Sequence, residues 1–205
     1  MKMMKYIGLA LLLVVITACG GESTTEEVEH DGIKISGNVT GAEGQTATLW
    51  VFESGKERLI DSTVVVDNNF EFWTETKELR EYVLDIGSNH EVIYLFPDED
   101  AEFIEVTGSL PGITVNYDIK GDQNSKDYRD YWIFLQPHLA AENSLMSQHN
   151  STLEPDRKEG IMNQLDSVAA IERGYAVDYI NANPGSPVSW IMLQEFYPPS
   201  GLANF

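Results

Sequence analysis

Cysteine occurs once in the 205 residues, at position 19. A single thiol excludes an internal disulfide framework, a CxxC redox pair and any cysteine-rich zinc site. Basic residues are scarce as well: 13 Lys+Arg stand against 33 Asp+Glu, a formal net charge of −20. Nucleic acid as a partner is excluded on that balance, because phosphate binding needs Lys and Arg to displace counterions. The charge of the body cannot hold the chain on anionic lipid either. The four histidines, His30, His90, His138 and His149, form neither an HxxxH pair nor an HExxH motif, so no metal site is assigned. A G-x-S-x-G elbow, a glycine-rich phosphate loop and internal repeats are all missing, and no catalytic residue or cofactor is assigned. Long apolar runs are missing too, except for Ile7 to Ile16. That run falls short of the roughly 20 residues of a membrane span.

What is present begins with an address. Lys2 and Lys5 precede the apolar run, which ends Ile16-Thr17-Ala18-Cys19-Gly20. The arrangement suits a signal peptide over 1–18, and its last residues resemble the lipobox of bacterial lipoproteins. The resemblance implies that Cys19 is acylated and becomes the N-terminus, so that the membrane is a partner through lipid. Several acyl chains hold a protein stably where one does not. Residues 19–31 are polar and acidic and read as a flexible tether. Their acids, Glu22 and Glu26-Glu27, loosely resemble the surface-export signals of some Bacteroidota lipoproteins; a solvated linker facing the periplasm is the plainer reading. The implied location is the cell envelope, with the outer membrane facing the periplasm expected and surface exposure as the alternative.

Hydrophobic residues make up 42% and aromatics 10%, enough for a packed core. Residues 32–120 carry the punctuation of strands. Ile33-Lys34-Ile35-Ser36 alternates, and Thr46 to Phe52 sets Ala47, Leu49 and Val51 against Thr48, Trp50 and Phe52. Leu59–Val66 and Phe70–Trp73 flank Asp67-Asn68-Asn69, a hairpin signal because Asn tolerates positive φ. Tyr82–Ile86, Glu91–Phe96, Ala101–Val106 and Ile113–Ile119 complete about eight short strands. They predict an antiparallel sandwich-like or partly open barrel domain.

Residues 124–197 read as a helical subdomain, giving an α+β chain. The first helix, Ser125 to Asn150, is expected to kink or break at Pro137. The second, Glu154 to Ala182, carries a stripe of Ile161, Leu165, Val168, Tyr175 and Tyr179. Ser186 looks like the N-cap of a third helix, with Pro187 at its first position. That short helix has little in sequence to pack on, and 198–205 reads as a loop at which the chain is cut short of a partner domain.

Two surface features stand out as candidates. Trp50 and Phe52 oppose the core face of their strand, so they mark a ligand or partner surface if both are exposed. Pro97-Asp98-Glu99-Asp100-Ala101-Glu102 concentrates carboxylates, but its spacing does not fit a calcium loop and it reads as a solvated acidic turn.

The order of parts resembles one family. The lipobox and acidic tether come first. Ile35-Ser36-Gly37 matches an "I-x-G" first strand, and Asp67 with Phe70 and Phe72 matches a "D-x-x-F-x-F" return. Tyr82 and Leu84 match a "Y-x-L" strand, and Asn183-Pro184-Gly185-Ser186-Pro187-Val188-Ser189 looks like the family's linker element. The family is the N-terminal domain of unknown function that precedes thioredoxin-like domains in Bacteroidota envelope lipoproteins. Its thiol chemistry lies in a Trp-Cys-x-x-Cys motif that this chain lacks. The resemblance therefore implies a non-catalytic, lipid-anchored module that positions or contacts partners for a thiol-disulfide oxidoreductase. The alternative is a complete envelope lipoprotein that binds a ligand or protein through its aromatic β face. The first expects an exposed apolar patch on the last helix, the second a concave aromatic groove.

Overall fold

The computed structural model describes residues 32–196, apart from 54, 76–79, 88 and 90. Cys19, His30, His90, the tether and the closing segment lie outside the described residues.

Side chains that alternate along a strand can bury one face and leave the other wet, and seven of the eight strands among the described residues do so, the third burying none. β1 (Ile33–Thr40) buries Ile33, Ile35 and Val39, and β2 (Thr46–Glu53) buries Ala47, Leu49 and Val51. β3 (Lys56–Val64), β4 (Asn69–Thr74), β5 (Glu81–Ile86), β6 (Glu91–Leu95), β7 (Phe103–Ser109) and β8 (Tyr117–Lys120) follow. They form two four-stranded sheets, a first in the order β4-β1-β7-β8 and a second in the order β3-β2-β5-β6. One continuous core lies between them, drawing Ile35, Phe72 and Ile104 from the first sheet and Leu49, Leu84 and Leu95 from the second.

The sandwich is not wholly antiparallel. β1 pairs antiparallel with β4 but parallel with β7, Lys34 opposite Phe103 through Thr40 opposite Ser109. Several strand limits also differ from expectation: β3 spans Lys56–Val64 rather than Leu59–Val66, β7 starts at Phe103 and runs on to Ser109, and β8 begins only at Tyr117. Ile113 is apolar because it is buried in the loop before β8, not because it is in a strand.

Each open side of the sandwich is closed differently. On one side the edge strands β3 and β4 are joined through Asp67 and Asn68, whose φ angles of 53° and 61° are those of a tight turn with both central residues left-handed. This turn is a corner between sheets: past the Val66–Asn69 bridge, β3 and β4 belong to different sheets. On the other side, the edge strands β6 and β8 are both covered by α1 (Gln123–Ser151), a helical cap of the kind that protects sheet edges. Arg129 Nε donates to the Tyr117 carbonyl at 2.7 Å, and Trp132 Nε1 to the Thr114 carbonyl at 3.0 Å.

The helix is seated at its first turn. Asp122, buried, caps α1 by accepting from the Ser125 amide at 2.6 Å and also accepts from the Asp98 amide at 3.0 Å. Ser125 Oγ accepts from the Phe96 amide at 2.8 Å. Pro137 does not interrupt α1, which is helical from Gln123 to Ser151; its ring only removes one donor from the ladder, on an exposed face. α2 (Pro155–Ala182) returns along α1, and α3 (Pro187–Phe196) is opened by Ser186, whose Oγ accepts from the Val188 amide at 3.2 Å. α3 is better supported than its length suggests: Val188 and Met192 are fully buried with Tyr131, Leu135 and Ala176 in a second core. Among the described residues, no helix is long and apolar enough to cross a membrane.

Candidate functional site

Among the described residues, the helices meet the second sheet along its β6 edge and leave the rest of its outer face uncovered. Register decides what stands there. Trp50 lies opposite Val83 on β5, and Val83 opposite Tyr94 on β6. In the neighbouring row Phe52 lies opposite Glu81 on β5 and opposite Glu57 on β3. Asp85 and Val92 pair in the row on the other side. These side chains line a shallow groove of about 420 Å³.

A β-bulge makes the β3 contribution. Leu49 pairs with Asp61 while Trp50 pairs with Leu59, so Ile60 is the extra residue. The insertion resets which side chains face outward. It sends Ile60 against the core and leaves Leu59 and Glu57 on the outer face, beside Trp50 and Phe52.

Of the two aromatic residues marked by sequence, Phe52 is 46% exposed, whereas Trp50 is half-buried. Its indole N–H donates to Thr48 Oγ1 at 2.9 Å, which fixes the ring on the sheet. Tyr94, Glu57 and Glu81 were not marked. Their signal lies in cross-strand pairing, which is not written in any one strand.

The electrostatics of the groove are one-sided. Burial pushes the Glu81 carboxyl above its ordinary range, and the neighbouring Glu57 pushes it further. The Tyr94 phenol is likewise raised by burial, then by Glu81 and Glu57, so it stays protonated and able to donate. The nearest arginines do not neutralise the groove. Arg58 and Arg80 each follow or precede a groove carboxylate by one residue, so they project to the opposite side, where both meet Glu53 at 3.7 and 3.5 Å.

The other marked cluster, Asp98-Glu99-Asp100, is an exposed turn. It forms one wall of a second depression, of about 470 Å³, whose other wall is Ile180, Trp190 and Leu193. Trp190 on α3 is 59% exposed and Leu193 is 38% exposed. The His138 ring lies tilted against Phe134, with centroids 4.6 Å apart, and is bonded to its carbonyl. Among the described residues no three His, Cys, Asp or Glu side chains converge where a metal ion could be held.

No curated protein and no solved structure matches the chain. Residues 33–128, which take in all eight strands and the opening turns of α1, match the family model of a domain of unknown function, DUF4369.

Proposed function

We propose that this chain is a lipid-anchored module of the bacterial cell envelope, non-catalytic itself, that positions or contacts a partner. The partner is a thioredoxin-like domain, as the likeness to Bacteroidota lipoproteins implies. The observation that carries this reading is the outward face of α3. Trp190 and Leu193 are solvent-exposed along a helix whose other face is packed through Val188 and Met192. An indole left in water on a well-packed helix is a contact surface in waiting. The anchor is supported by the Cys19 lipobox. Immunoblotting host membranes with antibody against residues 32–120 tests the reading. A band well above the mass of the chain, lost from the membrane fraction in Cys19→Ser, is the expected result. A band at the mass of the lipidated chain alone overturns the thioredoxin-like reading.

A second reading is favoured by a separate observation, the groove floored by Trp50, Phe52 and Tyr94 on the second sheet. Here the lipoprotein binds a ligand or protein through its aromatic β face. Loss of that binding in Phe52→Ala, with Trp190→Ala unaffected, separates it from the first.

A further inference from the structure

The charged groups that line the second-sheet groove are of one sign. Glu57, Glu81 and Asp85 contribute carboxylates, which when ionised only accept hydrogen bonds. Among the described residues no Lys, Arg, Asn or Gln joins them. Among the described residues Glu57 and Glu81 meet neither a cation nor a hydrogen-bond donor, because Arg58 and Arg80 are held by Glu53 on the other side. A wall whose charged groups only accept is complemented by a ligand that donates and carries positive charge, and the ammonium and guanidinium groups are the side chains of that type. A sugar hydroxyl, which must also accept, finds a single phenol, Tyr94, to donate to it among the described lining residues, and an anion is repelled.

Position adds to type. Glu57 and Glu81 stand directly across from Phe52 on its two neighbouring strands, each within about 5 Å at Cβ. They therefore flank the ring from both sides, near enough that Glu57 raises the pKa of Glu81. A cation over an aromatic face gains from the ring quadrupole, and here it gains from two carboxylates as well. One row away, Trp50, pinned by Thr48, and Val83 offer an apolar track beside the ring, and a long alkyl stem can lie along such a surface while its charged head stays at the polar end.

We propose that this face docks a lysine- or arginine-bearing polypeptide segment, with the cationic head over Phe52 between Glu57 and Glu81 and its stem along Trp50 and Val83. The proposal rests on reading this face as a binding surface and adds the chemistry of its occupant. A chain of formal charge −20 attracts any polycation weakly, so the control must remove the same charge elsewhere.

The experiment is calorimetric titration of the full chain with acetylated tetralysine amide. Binding is expected to weaken between about 0.05 M and 0.5 M salt and to fall about tenfold in Glu57→Gln/Glu81→Gln. In Asp98→Asn/Glu99→Gln, which removes two charges from the other acidic wall, affinity should change less than about twofold. Phe52→Ala, with circular dichroism confirming its fold, should weaken binding as much as the carboxylate pair. Equal loss in both double variants, or no binding at all, overturns the proposal. If tetralysine is silent while a neutral cello-oligosaccharide binds in a Phe52-dependent way, the face remains a binding surface and only its cationic occupant is wrong.

Discussion

A hydrogen atom in place of a side chain at position 37 links two of the short motifs in this sequence. Gly37 pairs across β1–β4 with Phe70, and the Phe70 ring lies where a Cβ on Gly37 would project. The glycine of "I-x-G" and the first phenylalanine of "D-x-x-F-x-F" are thus two halves of one contact. Gly37→Ala forces the ring from its place in the core, and overpacking of this kind costs about 1–3 kcal/mol. Urea denaturation should show that loss, and Gly37→Ala combined with Phe70→Leu should recover part of it.

Glu172 on α2 is the converse, a charged side chain where an apolar one would be expected. It is 7% exposed, and among the described residues its Oε1 has no hydrogen-bond partner. Burial raises its pKa, Glu142 on α1 and Glu195 on α3 raise it further, and His138 on α1 opposes them. A carboxyl with a raised folded-state pKa stabilises the fold in its neutral form, below the ordinary carboxylate range. That contribution is lost as pH rises through the raised value. Glu172→Gln should therefore match the parent in acid and melt at a higher temperature than it at neutral pH. A difference between the two melting temperatures that does not grow with pH would count against this account.

At the scale of elements, α1 is set by its first turn more than by its length. Asp122 serves two amides, its own helix's Ser125 and Asp98 from the loop after β6. Asp122→Ala removes a cap worth about 1 kcal/mol and a charge-assisted bond worth about 1.5–3 kcal/mol. A loss of about 2–4 kcal/mol is expected in urea, with Asp122→Asn retaining roughly half. The alternation of β2 and the Asp67-Asn68 turn were legible in sequence because each depends on residues close along the chain. The cap, the bulge at Ile60 and the parallel partner of β1 depend on segments far apart, so no local pattern announced them. Pro137 misled in the other direction: tertiary packing through Tyr131 and Leu135 holds a helix that local preference would break. At the candidate site, parity along β2 indicated Trp50 and Phe52, and only the register of three strands brought Glu57, Glu81 and Tyr94 to them.

In the whole molecule the two cores are connected by rings. Tyr128 meets Tyr94 and Phe96 of the sandwich side, with centroids 5.9 and 4.5 Å away, and Tyr131 of the helical side at 6.3 Å. Tyr131 stacks on Tyr175, which stacks on Phe134. Truncating a large buried aromatic costs about 3–5 kcal/mol, and Tyr128, only partly buried, should cost less, about 2–3 kcal/mol. Its loss should also separate the cores. By hydrogen exchange, amides of α2 and β1 should open at similar free energies in the parent, whereas in Tyr128→Ala those of α2 should open first.

The parallel pairing of β1 with β7 also sets the order in which the fold can be made. β1 leaves the ribosome before the other described strands, yet it sits in the middle of its sheet, waiting for Asn69–Thr74 on one flank and Phe103–Ser109 on the other. Pairings so distant along the chain close slowly, on the millisecond-to-second scale of sandwich proteins. Until residue 109 has been synthesised, Ile33, Ile35 and Val39 belong to a strand with an unfilled side. A chain stopped short of that point carries an open template on which a second nascent copy can add its own β7.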